Sequence, residues 1–218
     1  LSKNLQIVVS NFTLSKTIQN LTKYSPWVIE DCIEYSYCAP KIFNERNNIL
    51  WFGHNSNIKS LIASLKHEFI SQNCSKLFLC TDTIGQEIIK QVFTANALDI
   101  DCHVLPWSRQ HLLELSAISD FSFIPNDISS PKAYASSNRL ITSLTLGLPV
   151  VATPIFSYRE FKNYFTTFPS DFTSPITIDK LKMQNMTLMF QNETKQRFNK
   201  TKILLDWREA LVNLSRQK

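Results

Sequence analysis

The stretch SSNRLITSLTLGLPVVATP, residues 136–154, decides the fold. It opens on hydroxyls, continues as an amphipathic helix and closes on a glycine. A short apolar run ahead of Pro154 follows. Ser136 or Ser137 reads as the N-cap, Gly147 as the C-cap and PVVA as a buried strand. A helix start carrying two serines, Asn138 and Arg139 is also a ready anion site, because its first amides and the helix dipole both favour negative charge.

Working outward, the same unit recurs. ILWFG (49–53) precedes a helix with Ile58, Leu61, Ile62, Leu65 and Phe69 at spacings of three and four. KLFLC (76–80) precedes a helix carrying Ile84, Ile88, Ile89, Val92 and Phe93. CHVLP (102–106) precedes Ser108 as an N-cap and the helix of Leu112, Leu113, Leu115 and Ile118. FSFIP (121–125) leads through a polar loop into the 136–147 helix, and PVVAT (149–153) leads to SYREF, where Ser157 and Glu160 have capping-box spacing. Five apolar strands alternating with helices predict an α/β fold, a doubly wound, Rossmann-like parallel sheet covered on both faces.

We place this domain at residues 49–190. Residues 1–30 (LQIVVS, a helix from Phe12 to Tyr24, then PWVIE) read as strand, helix, strand, a remnant of a second α/β domain. Residues 31–48 read as a linker. Residues 191–218 read as one long helix carrying Phe198, Leu205, Leu211 and Leu214, with Trp207 beside that stripe. The first residue is Leu1 and an apolar strand follows almost at once, so the chain reads as one that begins inside a longer protein.

Composition excludes several classes. With 218 residues, 44% hydrophobic and 19% charged, the chain suits a globular domain and not a disordered one. A net charge of +5, with no basic helix interleaved with aromatics, suits an anionic small ligand and argues against nucleic acid. Cys32, Cys38, Cys74, Cys80 and Cys102 include no C-x-x-C pair, so neither a zinc site nor a redox pair is indicated, and free thiols in a reducing cytoplasm are expected. No apolar run is long enough to span a membrane, and no signal peptide is visible.

In an open α/β sheet ligands bind beyond the carboxyl ends of the strands. Those ends carry Gly53, His54 and Asn55, then Asp82, then Trp107, then Lys132 with Ser136, Ser137, Asn138 and Arg139. Gly53 is one of only three glycines, which makes its place after the first strand pointed, although no G-x-G-x-x-G accompanies it. His54 reads either as a solvated loop residue or as a ligand contact. Trp107 reads as core, or as a flat face for a base. Lys132 and Arg139 flank a helix N-terminus, where cations and amides together favour phosphate. The sequence carries no Ser-His-Asp order, no H-E-x-x-H and no Walker lysine, so no catalytic residue and no metal ligand is assigned.

The region from ILWFGHNSNIKSL through LPW, LSAISDFSFIP and SSNRLITSLTLGLPVVATP resembles the carboxyl-terminal, donor-binding domain of GT-B glycosyltransferases, closest to those that build bacterial surface polysaccharides. GLPVVA matches a hallmark phrase of that group, and the resemblance covers about residues 49–170. It implies a nucleotide-sugar donor with its base near Trp107 and its diphosphate between the loop after Gly53 and the helix from Ser136. It also implies a glycan or lipid-linked acceptor, no metal or other cofactor, and a cytoplasmic enzyme that meets the inner face of the membrane through its acceptor domain. Residues 1–30 would be the end of that acceptor domain, and the last helix would cross back toward it. One departure stands out. Many retaining members carry two glutamates eight positions apart, and here those positions hold Tyr134 and Thr142. The alternatives are a non-catalytic nucleotide- or protein-binding module, and a nucleotide-sugar epimerase, for which only Asp82 and Glu160 are available as carboxylates.

Overall fold

The computed structural model describes residues 7–42, 47–96, 100–129 and 131–215, leaving aside the side chains at 95, 96, 131 and 132. Two short parallel strands, β1 (Val8–Val9) and β2 (Trp27–Val28), flank helix α1 (Phe12–Thr22). Then come β3 (Asn47–Phe52), α2 (Ile58–Ser64), α3 (Glu68–Asn73), β4 (Cys74–Thr81), α4 (Thr83–Asn96), β5 (Asp101–Pro106), α5 (Arg109–Ile118) and β6 (Phe121–Ile124). The remainder is α6 (Asn138–Thr145), β7 (Val150–Ala152), β8 (Thr166–Thr167), α7 (Lys180–Thr194) and α8 (Lys200–Ser215). The expected start of the first strand at Leu5 and the linker residues 43–46 lie outside the described residues.

The larger sheet runs β5-β4-β3-β6-β7-β8, with every neighbouring pair parallel. Chain order reverses between β3 and β6, and it is at such a reversal that a doubly wound sheet opens a crevice. Burial follows the pleat. In β3, Ile49 and Trp51 pack on one face with Leu61, Phe69, Leu77, Leu79, Phe121 and Phe123. Leu50 and Phe52 pack on the other face with Phe78, Leu112, Leu115, Leu146 and Leu148. Both faces are dry, which is why this strand reads as a continuous apolar run instead of an alternating one.

Gly147 ends α6 with two backbone bonds, Gly147 N–H to the Leu144 carbonyl at 3.2 Å and Leu148 N–H to the Ser143 carbonyl at 3.0 Å. Its φ of 76° is in the left-handed region. A Cβ there would also lie 2.2 Å from the Ala39 carbonyl oxygen. The linker is pressed against this turn: Cys38 N–H donates to the Thr145 carbonyl at 2.9 Å and Lys41 N–H to the Gly147 carbonyl at 2.8 Å. The Gln191 amide closes the contact by donating to the carbonyls of Cys38 and Leu144.

Four expectations from the sequence are corrected. The helix expected through Phe69 splits, because His67 Nδ1 accepts the Phe69 N–H at 3.0 Å and starts α3 anew, its Nε2 donating to the Ser174 carbonyl at 2.9 Å. The single long helix expected from 191 is two: α7 begins at Lys180, and the chain breaks after Thr194. The break holds Arg197 against Glu30 and Glu160 and buries Phe198 with Phe161 and Phe190. In α8 the buried residues are Ile203 and Ala210, while Leu205 and Leu211 face solvent. Ser157 and Glu160 form no capping box: both lie inside a 3₁₀ helix, Phe156–Phe161, with the Ser157 hydroxyl buried and Glu160 bound to Arg197. Ser137 takes the N-cap position of α6, but no side chain caps that helix.

Replacing Gly147 by alanine is expected to cost about 2–3 kcal/mol of unfolding free energy, since it combines a strained φ with a backbone clash. Urea unfolding of Gly147→Ala measures this; a loss below about 0.5 kcal/mol would mean the linker is not seated on the turn.

Candidate functional site

A cleft of about 610 Å³ opens at the reversal in strand order. From the sheet and its helices it is lined by Phe52, Gly53, His54, Asn57, Asp82, Trp107, Ser136, Asn138, Arg139 and Thr142. Its other wall is the linker, from Asp31 to Tyr35.

Arg139 lies on the first turn of α6 and reaches back to the reversal point. Its Nη2 donates to Asn126 Oδ1 at 2.6 Å. Asn126 is buried and fixed by its neighbours: its N–H donates to the Thr153 hydroxyl at 3.2 Å, and its amide donates to the Ile124 carbonyl at 3.2 Å. The remaining terminal nitrogen, Nη1, is buried and has no hydrogen-bond partner. Among the described residues no carboxylate pairs with this guanidinium. A Cβ at Gly53 would lie 3.4 Å from Nη1 and 3.5 Å from Asn57 Nδ2, so the absent side chain leaves room beside the cation. Beneath lies Tyr158, whose phenol is pushed up by complete burial, against the pull of the Arg139 charge.

Part of the lining is aromatic. Trp107 N–H donates to the Thr81 carbonyl at 2.7 Å as β5 ends, which sets its ring over Phe52, centroids 6.1 Å apart and planes 21° apart. The Trp107 side chain remains 50% exposed, so one face of the stack is open. Tyr35 joins the same cluster from the linker, and the Arg109 guanidinium lies 5.2 Å from its ring centroid.

Asp82 is structural in its geometry. Its carboxylate accepts the Asn55 N–H at 2.7 Å, the Asn55 amide at 3.0 Å and the Gly85 N–H at 2.9 Å, and His54 Nε2 lies 3.8 Å away. Partial removal from water works to raise its pKa, but these donors and the His54 charge outweigh it and hold the group at about 2. The effect is to pin the turn after β3 to the start of α4.

Of the residues expected from the sequence, Gly53, His54, Asp82, Trp107, Ser136, Asn138 and Arg139 meet in the cleft. Asn55 stands behind Asp82, and Ser137 is buried at the start of α6; neither lines the cleft. The side chain of Lys132 lies outside the described residues. Sequence reasoning missed the linker wall, residues 31–35, and the anchoring role of Asn126. Nothing local marks the linker stretch; contacts distant in sequence, at Gly147, Asn138 and Arg109, bring it over the cleft.

No protein-family model matches the chain, and no curated protein matches it by sequence. Solved structures do. A TarM mutant of S. aureus, in complex with Fondaparinux, alpha-GlcNAc-glycerol and UDP, superposes with a TM-score of 0.70 at 13% identity over 96% of this chain and 43% of that one. A glycosyltransferase of Rickettsia africae gives 0.63 at 13% identity over 98% of this chain and 64% of that one. The pneumococcal O-GlcNAc transferase GtfA, in complex with UDP and GlcNAc, gives 0.53 at 12% identity over 95% and 44%. The fold is that of the GT-B glycosyltransferases. At these identities the likeness to GT-B structures establishes architecture and no chemistry. The chain spans between two fifths and two thirds of the length of these GT-B proteins. Among the described residues no group of three or more His, Cys, Asp and Glu could hold a metal ion, and no helix is long and apolar enough to cross a membrane.

A carboxyl held below its unfolded value stabilises the fold above that value and loses the contribution as pH falls through the folded pKa. The difference in Tm between the wild type and Asp82→Asn should therefore be constant above about pH 4 and vanish as pH falls toward 2. Thermal melts across that range test this; a difference independent of pH would detach the Asp82 charge from the Asn55 turn.

Proposed function

We propose that the cleft binds a nucleoside-diphosphate sugar, and that this chain carries mainly the donor-binding half of a hexosyl-type glycosyltransferase acting on a glycan or lipid-linked acceptor. The observation that carries the reading is Arg139: a half-buried cation with no carboxylate partner and one buried, unsatisfied nitrogen, set at the reversal of strand order. A charge left in that state is costly unless a ligand completes it, and an anion is the ligand that does so. Helix α6 adds to this, since its first amides are not capped by any side chain and Ser136 and Asn138 line the cleft beside it. In the same cleft, the open face of the Phe52–Trp107 stack suits a base. A cation and an open flat aromatic in one cleft are the two features that a nucleotide's phosphate and base call for.

Two of the neighbours, TarM and GtfA, were solved with UDP, which supports a nucleotide donor here. Transfer would depend on holding the anomeric carbon in line and stabilising the departing diphosphate with Arg139 and the α6 amides. In this reading residues 1–30 and α8 belong to the junction with an acceptor-binding half, and the linker joins the two. An epimerase finds little support, because Asp82 is tied to Asn55 and Gly85, while Glu160 is tied to Arg197 outside the cleft.

Calorimetric titration with UDP, GDP, TDP and CMP tests the reading. The expectation is a preference for one nucleotide, unchanged by EDTA, with Arg139→Ala weakening it about 10- to 100-fold through the lost charge-assisted bonds. Affinity unchanged in Arg139→Ala would refute the assigned anion site and favour a protein-binding module.

A further inference from the structure

The net charge of +5 is not spread over the chain. Residues 180–218 hold nine of the 23 lysines and arginines but three of the 18 acidic residues, a balance of +6. That leaves 14 basic against 15 acidic residues elsewhere, a balance of −1. Helix α8 shows where part of this charge is displayed. Its buried residues, Ile203 and Ala210, pack with Val8, Trp27 and Ile29, which fixes the side turned toward β1 and β2. Asp206 and Glu209 line the groove on that side with Phe12 and Lys202, and Lys202 is bound to Asp206 at 2.8 Å.

The outward side differs in kind. With 3.6 residues per turn, Leu204, Leu205, Trp207, Leu211 and Val212 share one broad face with Lys200 and Arg208, and no acidic residue falls on it. The five apolar side chains are 39–60% exposed, and no other helix among the described residues exposes more than three large ones. Neither Lys200 nor Arg208 is paired with a carboxylate among the described residues. Such a face calls for a partner that is apolar and negatively charged at once. A second copy does not supply it, because two such faces would bury Lys200 and Arg208 against like charges with no carboxylate between them. An anionic bilayer supplies both parts. The leucines and Trp207 enter the boundary between headgroups and acyl chains, while Lys200 and Arg208 extend to the lipid phosphates.

We propose that the outward face of α8 docks this chain on an anionic phospholipid surface, the helix lying in the plane of the interface. The helix does not cross the bilayer, for which it is not apolar enough. Being already folded against β1 and β2, it has no ordering cost to meet on binding, unlike a free amphipathic peptide. The attachment sits on the side of α8 away from the amino-terminal strands, and it does not depend on the nucleotide reading.

Flotation with vesicles of phosphatidylcholine alone, or with about 30% phosphatidylglycerol added, tests the proposal. The wild type should bind the anionic vesicles about tenfold more tightly than the neutral ones, and release them as salt approaches about 1 M. Arg208→Glu should weaken binding about tenfold, and Leu204→Glu combined with Leu211→Glu about 30-fold or more. Lys90→Glu, the same charge change at an exposed position of α4, should alter it less than about twofold. All these positions are exposed, so the variants should melt with the wild type. Tryptophan emission should shift to the blue on binding, and Trp207→Phe should abolish that shift. Equal binding to both vesicles, binding to neither, or a loss in Lys90→Glu as large as in Arg208→Glu overturns the proposal. A dimer in sedimentation that the double leucine variant breaks, with no vesicle binding, overturns it in favour of a second copy.

Discussion

The contact between Gly147 and the Ala39 carbonyl is the constraint on which the rest of the molecule depends. It is possible only because a glycine ends α6 in the left-handed region with no Cβ to occupy the space. Docked there, residues 38–41 bond to the last carbonyls of the helix, and the preceding residues 31–35 are laid across the mouth of the cleft. The same turn therefore closes a helix, feeds a core strand and builds the second wall of the site. A side chain at this one position would disturb all three.

A second tie acts on the other side of the linker. Arg197 donates Nε to Glu30 at 2.8 Å, and its Nη2 bonds both Glu30 and, at 2.6 Å, Glu160. Its guanidinium also lies 5.0 Å from the Phe198 ring centroid and 5.3 Å from that of Phe161. The Glu30 bond, more than the opposing cost of burial, raises its pKa above the ordinary value. A partly buried cation with two carboxylates and three rings, Phe12 being the third at 6.0 Å, holds the end of β2, the 3₁₀ helix and the α7–α8 break in one arrangement. It also explains why Glu160 is not free for chemistry.

Much of this was legible in the residues, for reasons that differ element by element. The runs ILWF, LFLC and FSFI are buried on both faces, Gly53 and Pro125 close the first and third, and Pro106 closes the separate run CHVL, so the sheet and its strand ends could be read directly. Gly53, Trp107 and Arg139 followed from those ends. β8 could not be read: Thr166 and Thr167 are polar and form a strand only because Val151 and Ala152 offer them an edge. The break after Thr194 was hidden because Phe198, Leu205 and Leu211 fit a helical spacing, and it is opened by Glu30, 167 residues away. The linker wall was invisible for the same reason. It is made by a tertiary contact, and its own sequence has no periodicity to betray it.

The sheet order has a consequence for how the chain assembles. One edge of β3 stays open until β6 is made, since Asn48 is tied to Asp120 across 72 residues, and the strand–helix–strand of β1, α1 and β2 must wait longer still for Arg197. Pairings separated this far in sequence form slowly, because the intervening loop must be closed before any contact rewards it. During synthesis β3, β4 and β5 can pair first, leaving the β3 edge open until the second half of the sheet arrives. Residues 8–30 are then made long before Arg197 and are among the last to find their place.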